Sequence, residues 1–441
     1  MAGADAIVIG AGAAGIAATR HLHAAGLDVL LVEAGDRVGG RARSITVPLP
    51  RRRPGIGPAL AGSQPPPAKQ VTIDLGCGWL HSAKRNPWTA LADHYGLAID
   101  RSSANWDTQW RDLGFPPGEQ AAFHAAWDRW QQAARVALDA PDQPLAAFLA
   151  PDDPWRPLID AISGYANGAP LARVSLHDWA AYEDAATDDN WAVREGYGTL
   201  VARHARGLPL RLDTRVSRVD HRAARIRLDT SRGTLETRHV ILCVPTTMLA
   251  EERIAFDPPL PDKHAAAAAL PLGLADKLFL HVEGFELPEN GHLIGNPHRA
   301  CTASYRLGPF GWPLIECFFG GDCAEALEHG GDDAAADFAI TELVGLLGSD
   351  WRARLAPIAA TRWRTARYIH GSYSHARIGA APQRAVLAAP VDARLFFAGE
   401  ACSTADFSTA HGAFATGIDA AEGVIGALGA ASRFTADLAL S

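Results

Sequence analysis

Three glycines set the first chemical constraint. In the run IVIGAGAAG, Gly10, Gly12 and Gly15 follow an apolar stretch and open one rich in helix formers. Gly10 permits a tight turn, Gly12 lets the backbone approach a phosphate, and Gly15 lets helix and strand pack closely. The first N–H groups of such a helix face a pyrophosphate. Glu33 ends the next apolar run, LDVLLVE, 18 residues beyond Gly15. A carboxylate there accepts hydrogen bonds from ribose hydroxyls and repels a 2′-phosphate. Gly39, Gly40 and Arg41 come next, adding another close backbone approach and a cation for the pyrophosphate. Far downstream, LFFAGEAC places Glu400 after a third apolar run, followed by STAHGAFATG. Two strand–turn–helix units at opposite ends of the chain suit the two halves of a long dinucleotide.

Lys277 sets the second constraint. It lies in LADKLFL, a strand-like apolar run where charge is costly unless paired or functional. A lysine so placed can lose its proton or hold a water. His81, in GWLH, belongs to the residue type that titrates near neutrality. Glu183, Asp184, Asp188 and Asp189 can attract a cation, although a solvated acidic face is the plainer reading.

These residues need elements to hold them. Ala6 to Ile9 and Val29 to Val32 read as strands buried on both faces, with a helix from Ala13 to Ala25 stopped by Gly26. Val47 to Gln70 carries seven prolines and the triple arginine Arg51, Arg52 and Arg53, and reads as an exposed loop. Val71 to Leu75 returns as a strand, and Asn86 to Gly96 as a helix. From Trp106 to Ala150 the spacing is helical, and Trp106, Trp110, Trp127 and Trp130 read as one core-packing stripe. A helix follows Gly196. Leu210 to Val219, Ala224 to Asp229 and Thr234 to Val244 alternate like an antiparallel β element. Lys277 to Val282 and Leu314 to Phe319 read as strands of a second sheet, and Asp332 to Leu347 as a helix.

At 441 residues the chain exceeds one typical domain. Its formal charge of −8 lacks the basic footprint of a nucleic-acid binder. No apolar run approaches the ~20 residues of a membrane span. The first strand begins too soon for a signal peptide to precede it. The six cysteines form no CxxC pair, so they read as reduced thiols of a cytoplasmic protein rather than metal ligands.

Taken together, GAGAAG, VEAGDRVGGRA, DLGCGWLH with NPW, EGYGTLV, VILCVP, LGLADKLFL, TRW with GSYS, and FAGEACSTADFSTAHGAFATG occur in the order found in the flavin-containing amine oxidases. The chain resembles that family, which includes monoamine oxidases, polyamine oxidases and flavin-dependent lysine demethylases, over about residues 5 to 428, most weakly from 100 to 190. The resemblance implies a two-domain α/β flavoprotein. A Rossmann-like FAD-binding domain would be assembled from residues 1–82, 192–262 and 391–434, and a mixed-sheet plus helical substrate domain from 83–191 and 263–390.

It also implies roles. Lys277 matches a lysine that faces the flavin N5 through a water. Tyr373 matches an aromatic wall beside the flavin, and Trp363 a tryptophan near flavin and lysine. His81 matches a position that lines the amine tunnel in some polyamine oxidases. Glu400 matches an acid at the ribityl or pyrophosphate region, and Val216 a strand residue whose backbone meets adenine. Thr409, next to Ala410 in the segment turned toward the cofactor, stands where monoamine oxidases place a second tyrosine. The helix N-terminus aimed at the flavin is expected at Gly412 and Ala413. Ser372 stands where monoamine oxidases carry their flavin-linking cysteine, so FAD is expected to be non-covalent. The implied reaction is oxidation of an amine C–N bond by oxygen, giving imine, aldehyde and hydrogen peroxide, with a lean toward di- or polyamines. An L-amino-acid oxidase, or another FAD-dependent dehydrogenase or desaturase on the same fold, is the alternative. A monomer or homodimer without nucleic-acid or membrane partners is expected.

Overall fold

The structure, a computed structural model, describes residues 4–49 and 70–439. The arginine triplet at 51–53 lies outside the described residues.

The founding unit is local. Strand β1 (Ala6–Ile9), helix α1 (Ala13–Ala24) and strand β2 (Val29–Val32) form a parallel pair with a crossover. Strand side chains alternate in direction, and both faces of β1 are buried. Ala6 and Val8 pack into one apolar core, Ile7 and Ile9 into another. The sheet then recruits distant chain. His239–Leu242 pairs parallel on the other side of β1, Leu395–Phe397 pairs beyond it, and Leu210–Arg211 joins the outer side of β2. The C-terminal helix (Ala410–Ala439) lies against α1 so closely that a Cβ on Gly417 would stand 2.3 Å from the carbonyl oxygen of Ala14.

Two runs expected as single strands are divided. Leu210 to Val219 breaks into Leu210–Arg211 and Val216–Asp220, and Thr234 to Val244 into Gly233–Thr237 and His239–Leu242. In each case one piece enters the parallel sheet. The other joins a four-stranded sheet with Ile226–Thr230 and Ala255–Asp257. Val47 to Gln70 is likewise not loop at its ends, because Val47 pairs with Val71 and Pro48 with Gln70 in a hairpin.

The lysine strand, Ala275–Val282, is buried at every position. It lies between Leu314–Gly320 and Leu355–Ala360 in a five-stranded antiparallel sheet. Helices Pro117–Val136, Arg156–Asn167 and Leu176–Ala185 form a separate aromatic core around Phe123, Trp130 and Trp179. The tryptophan stripe does not hold together. Trp130 is core, but Trp110 packs against Phe285, and Trp106 precedes the helix and is 42% exposed. The cysteines also depart from expectation. Cys301 and Cys323 form a disulfide that ties the loop after Gly291–Ile294 to the helix Gly321–His329, while Cys77, Cys243, Cys317 and Cys402 are free. Among the described residues no helix is long and apolar enough to cross a membrane, and no cluster of His, Cys, Asp or Glu could hold a metal ion.

Candidate active site

The ends of β1 and β2 open into a cavity of about 1670 Å³. Gly10, Gly12, Glu33, Gly40, Arg41 and Val216 line one part of it. Lys277, Trp363, Tyr373, His81, Glu400, Thr409 and Ala410 line the same cavity. Residues spread over the whole chain thus share one enclosure.

Geometry at the glycine turn fits a dinucleotide. Gly10 has φ +100°, and a Cβ there would sit 2.4 Å from the Cys243 carbonyl oxygen. A Cβ on Gly15 would fall 1.9 Å from the Gly10 oxygen, so this crossing admits only glycine. Gly12 differs: a Cβ there would meet nothing within 4 Å. That open space lies over the first turn of α1, whose N–H groups have no partner within the helix. An anion belongs there. Glu33 is oriented by the N–H groups of Ala11 (2.7 Å) and Gly35 (2.8 Å), one on each carboxylate oxygen. Each oxygen keeps a further lone pair for ribose hydroxyls.

Arg41 and Glu400 bind each other. Nη1 of Arg41 donates to Oε1 of Glu400 at 2.8 Å and to the Ser372 carbonyl at 2.6 Å. Glu400 also accepts from the Ser374 hydroxyl (2.6 Å) and the Ser408 N–H (2.9 Å). Burial raises its carboxyl, but Arg41, Ser374 and Arg384 outweigh that and hold it below the usual range. Glu400 therefore braces the Arg41 guanidinium and two loops around the cavity. Thr409 has a role that sequence reasoning missed. Its hydroxyl accepts from the Gly412 N–H at 2.9 Å and so caps the C-terminal helix. The helix begins at Ala410, earlier than Gly412, and the Ala410 carbonyl accepts from Trp88 Nε1 at 3.0 Å.

Lys277 is paired. Its Nζ lies 2.7 Å from Oε1 of Glu316, on the adjacent strand, and donates to the Asp74 carbonyl at 3.2 Å. Burial pushes the Glu316 carboxyl up, but Lys277 and Arg306 prevail and keep it low. Arg306 is itself shared among Asn290 (2.6 Å), Asp100 and Glu316 (3.9 Å each), and its guanidinium stacks 4.4 Å from the Trp79 ring. Sequence reasoning passed over Glu316 and Arg306. The signal that marked Lys277, a charge inside the apolar strand LIECFFG, also marks Glu316.

Trp363 is fixed through its indole Nε1, which donates to the Leu75 carbonyl at 3.2 Å. The Tyr373 hydroxyl donates to the Tyr165 carbonyl, and burial pushes its phenol up, so it stays protonated. Ser372 is occupied by backbone: Oγ donates to the Ala275 carbonyl and accepts from the Ala275 N–H, both at 2.8 Å. His81 Nδ1 lies 2.7 Å from Oδ1 of Asn190, whose amide nitrogen donates to the Asp188 carbonyl. That assigns the proton to Nδ1 and leaves Nε2 an acceptor. Burial lowers the imidazole to about 4, so His81 is neutral at physiological pH. Trp106, 42% exposed, packs 5.2 Å from Trp79 and 6.1 Å from His81, and Asp107, Glu183 and Asp188 line the same cavity. The rest of the acidic cluster is engaged elsewhere, Asp184 by Arg135 and Asp189 by Lys84.

The family model for flavin-containing amine oxidoreductases matches residues 13–144 and 145–425. The chain belongs to this family, and it is a flavin-dependent amine oxidoreductase. Within the family it is 27% identical to polyamine oxidase 2 of Arabidopsis thaliana, over 94% of this chain and 87% of that one. It is also 27% identical to the lysine-specific histone demethylase 1 homolog 1 of Oryza sativa subsp. japonica, over 95% of this chain and 52% of that one. Among solved structures, cyclohexylamine oxidase from Brevibacterium oxydans IH-35A superposes with a TM-score of 0.74 at 22% identity, covering 97% and 99% of the two chains. Putrescine oxidase bound to putrescine superposes with a TM-score of 0.73 at 19% identity, covering 96% and 99%. These two likenesses concern the fold.

Proposed function

We propose that the chain is an FAD-dependent amine oxidase that holds its FAD non-covalently and prefers amines with a second cationic nitrogen. The observation that carries this reading is the single cavity joining the phosphate turn at Gly12 to the wall of Lys277, Trp363 and Tyr373. The α1 N-terminus, Glu33, Gly40, Arg41 and Val216 would hold the dinucleotide. When bound, FAD would supply the two-electron chemistry that oxidises the amine at its α-carbon and reduces oxygen to hydrogen peroxide. The protein's own groups orient the amine and keep the site dry. Neutral His81 offers an acceptor without adding repulsion for a cation. Trp363 and Tyr373 wall the enclosure, and the Lys277–Glu316 pair fixes a charge-balanced donor in it. The product imine hydrolyses in water to an aldehyde plus ammonia from a primary amine, or plus an amine from a secondary one.

Two observations favour an amine over an amino acid, and a polyamine over a monoamine. Arg306, the cation beside the lysine wall, is matched by Glu316 and Asp100 and offers no unpaired site for a substrate carboxylate. Asp107, Glu183 and Asp188 line the same cavity and are the acidic groups that would attract the second nitrogen of a diamine. The similar polyamine oxidases support the same reading. A peroxide-release screen across matched monoamines, diamines, polyamines and amino acids should give its highest kcat/KM for a di- or polyamine. An L-amino acid in first place would overturn the amine assignment. A compact monoamine ahead by tenfold, about 1.4 kcal/mol in transition-state binding, would remove only the polyamine preference.

The non-covalent reading rests on Ser372 and on the free thiols. Cys77 and Cys243 line the cavity, but burial raises both, Cys77 to about 12, and keeps them protonated and poorly nucleophilic. Acid or heat precipitation should therefore release intact FAD into the supernatant. Yellow colour retained in the washed pellet would show a covalent bond.

A further inference from the structure

Behind the lysine wall lies a second charged group with no part in the reaction above. Asp276 and Lys277 point to opposite faces of their strand, as successive strand residues must. Lys277 faces the cavity, whereas Asp276 faces the helix Gly321–His329 and is 5% exposed. One oxygen of Asp276, Oδ1, accepts from the Thr361 hydroxyl at 2.7 Å and from the Trp363 N–H at 3.0 Å. The same Thr361 hydroxyl accepts from the Lys277 N–H at 2.8 Å. Asp276 thus fastens the turn carrying Trp363 to the strand carrying Lys277.

The other oxygen is the anomaly. Oδ2 of Asp276 is buried with no donor, and so is Oε2 of Glu328, the carboxyl that Asp276 meets on the helix. Glu328 is also 5% exposed. Its Oε1 accepts from the Arg364 N–H at 2.9 Å, but the Arg364 Nε stands 3.5 Å from Oε2 and makes no hydrogen bond. Two interacting buried carboxyls, each with an oxygen that lacks a donor, carry a large penalty, which a single proton between them removes.

We propose that Asp276 and Glu328 share one proton, and that this carboxyl–carboxylate clamp positions Trp363 and the Lys277 strand from behind the active site. Asp276 is a positioning residue, since it acts through Trp363 and Thr361. Burial raises Asp276, and the neighbouring Glu328 raises it further against the opposing Thr361 hydrogen bond, to about 8. The charged groups around the pair are Arg364 and Arg362 from the turn, Asp332 beyond the helix, and Lys277 with its partner Glu316 across the strand. The two arginines offset one negative charge at the pair. Losing the proton leaves two, and the like charges push strand and helix apart. A carboxyl raised in the folded state contributes stability that is whole below its unfolded value, near 4, and is lost as pH rises through its folded one.

Two measurements test this on the holoenzyme. Infrared difference spectra between wild type and Asp276→Asn should show, at about pH 6, a protonated carboxyl band present only in wild type, fading by about pH 9. The asparagine keeps an acceptor for Thr361 and Trp363 and offers its amide N–H to Glu328, so it should clamp at every pH. Anaerobic flavin reduction should fall severalfold on the alkaline side in wild type, and that limb should be absent in Asp276→Asn. Glu328→Gln, which donates from the helix side, should flatten the limb in the same way. It also serves if the asparagine variant folds poorly. Absence of a band that depends on Asp276 overturns the shared proton. An alkaline limb unchanged in both variants overturns the positioning role. The effect on rate rests on the amine-oxidase reading, while the infrared band does not, so the two can fail separately.

Discussion

Gly12→Val is expected to give a folded protein without flavin colour. The backbone at Gly12 is extended, with φ −79° and ψ −173°, a conformation open to any residue. A Cβ there meets nothing within 4 Å, so valine leaves the packing of β1 and α1 undisturbed. The same space is where a pyrophosphate must approach the α1 N–H groups, and valine fills it. Loss of that contact should weaken FAD binding by about 4 kcal/mol, roughly a thousandfold in Kd. Circular dichroism and thermal melting of the apoprotein should match wild type, while FAD titration should not saturate. Wild-type FAD affinity in this variant would mean that the anchor lies elsewhere. Gly15→Ala makes the opposite control, because its methyl would sit 1.9 Å from the Gly10 oxygen and damage the fold itself.

Lys277→Met should keep FAD but slow the half-reactions, flavin reduction, reoxidation or both, by ~10² or more, the range in which positioned proton-handling groups act. It should also destabilise the protein by about 3 kcal/mol, since Glu316 would lose its close partner and keep Arg306 only at 3.9 Å. These two effects have different causes and should separate. Adding Glu316→Gln to Lys277→Met removes the stranded carboxylate and should restore much of the stability without restoring the rate. Stopped-flow kinetics and chemical denaturation of both variants decide the matter. Unchanged half-reactions would remove Lys277 from the chemistry, and recovery of rate in the double variant would make its role electrostatic support alone.

The parts of this protein legible in its sequence are those whose cause is local. The β1–α1–β2 unit follows from two apolar runs, a helix former between them and glycines at a crossing where a Cβ would collide with Gly10. Lys277 stands out because a charge in an apolar strand needs a reason, and the same rule applied to LIECFFG finds Glu316. What stayed hidden depends on partners. Nothing within Thr234 to Val244 says that its two halves enter different sheets, since alternation and burial describe faces and not neighbours. Trp106 has the spacing of a core residue and acquires its place on the cavity wall only when Trp79 and His81 arrive beside it. Thr409 aligns with a wall position, yet its hydroxyl is spent on the end of a helix.

The strand Leu395–Phe397 and the helix packed on α1 close a unit that began at Ala6. During synthesis the glycine turn leaves the ribosome well before the segments that cover it. Until then the outer edge of His239–Leu242 and the apolar side of α1 have no partner, and they are surfaces on which a nascent chain can mispair. A cofactor held by the glycine turn and by the Arg41–Glu400 pair would therefore wait until Glu400 and the capped start of the helix Ala410–Ala439 have been made. A chain stopped before Glu400 would lack both the brace of Arg41 and the strand that covers His239–Leu242.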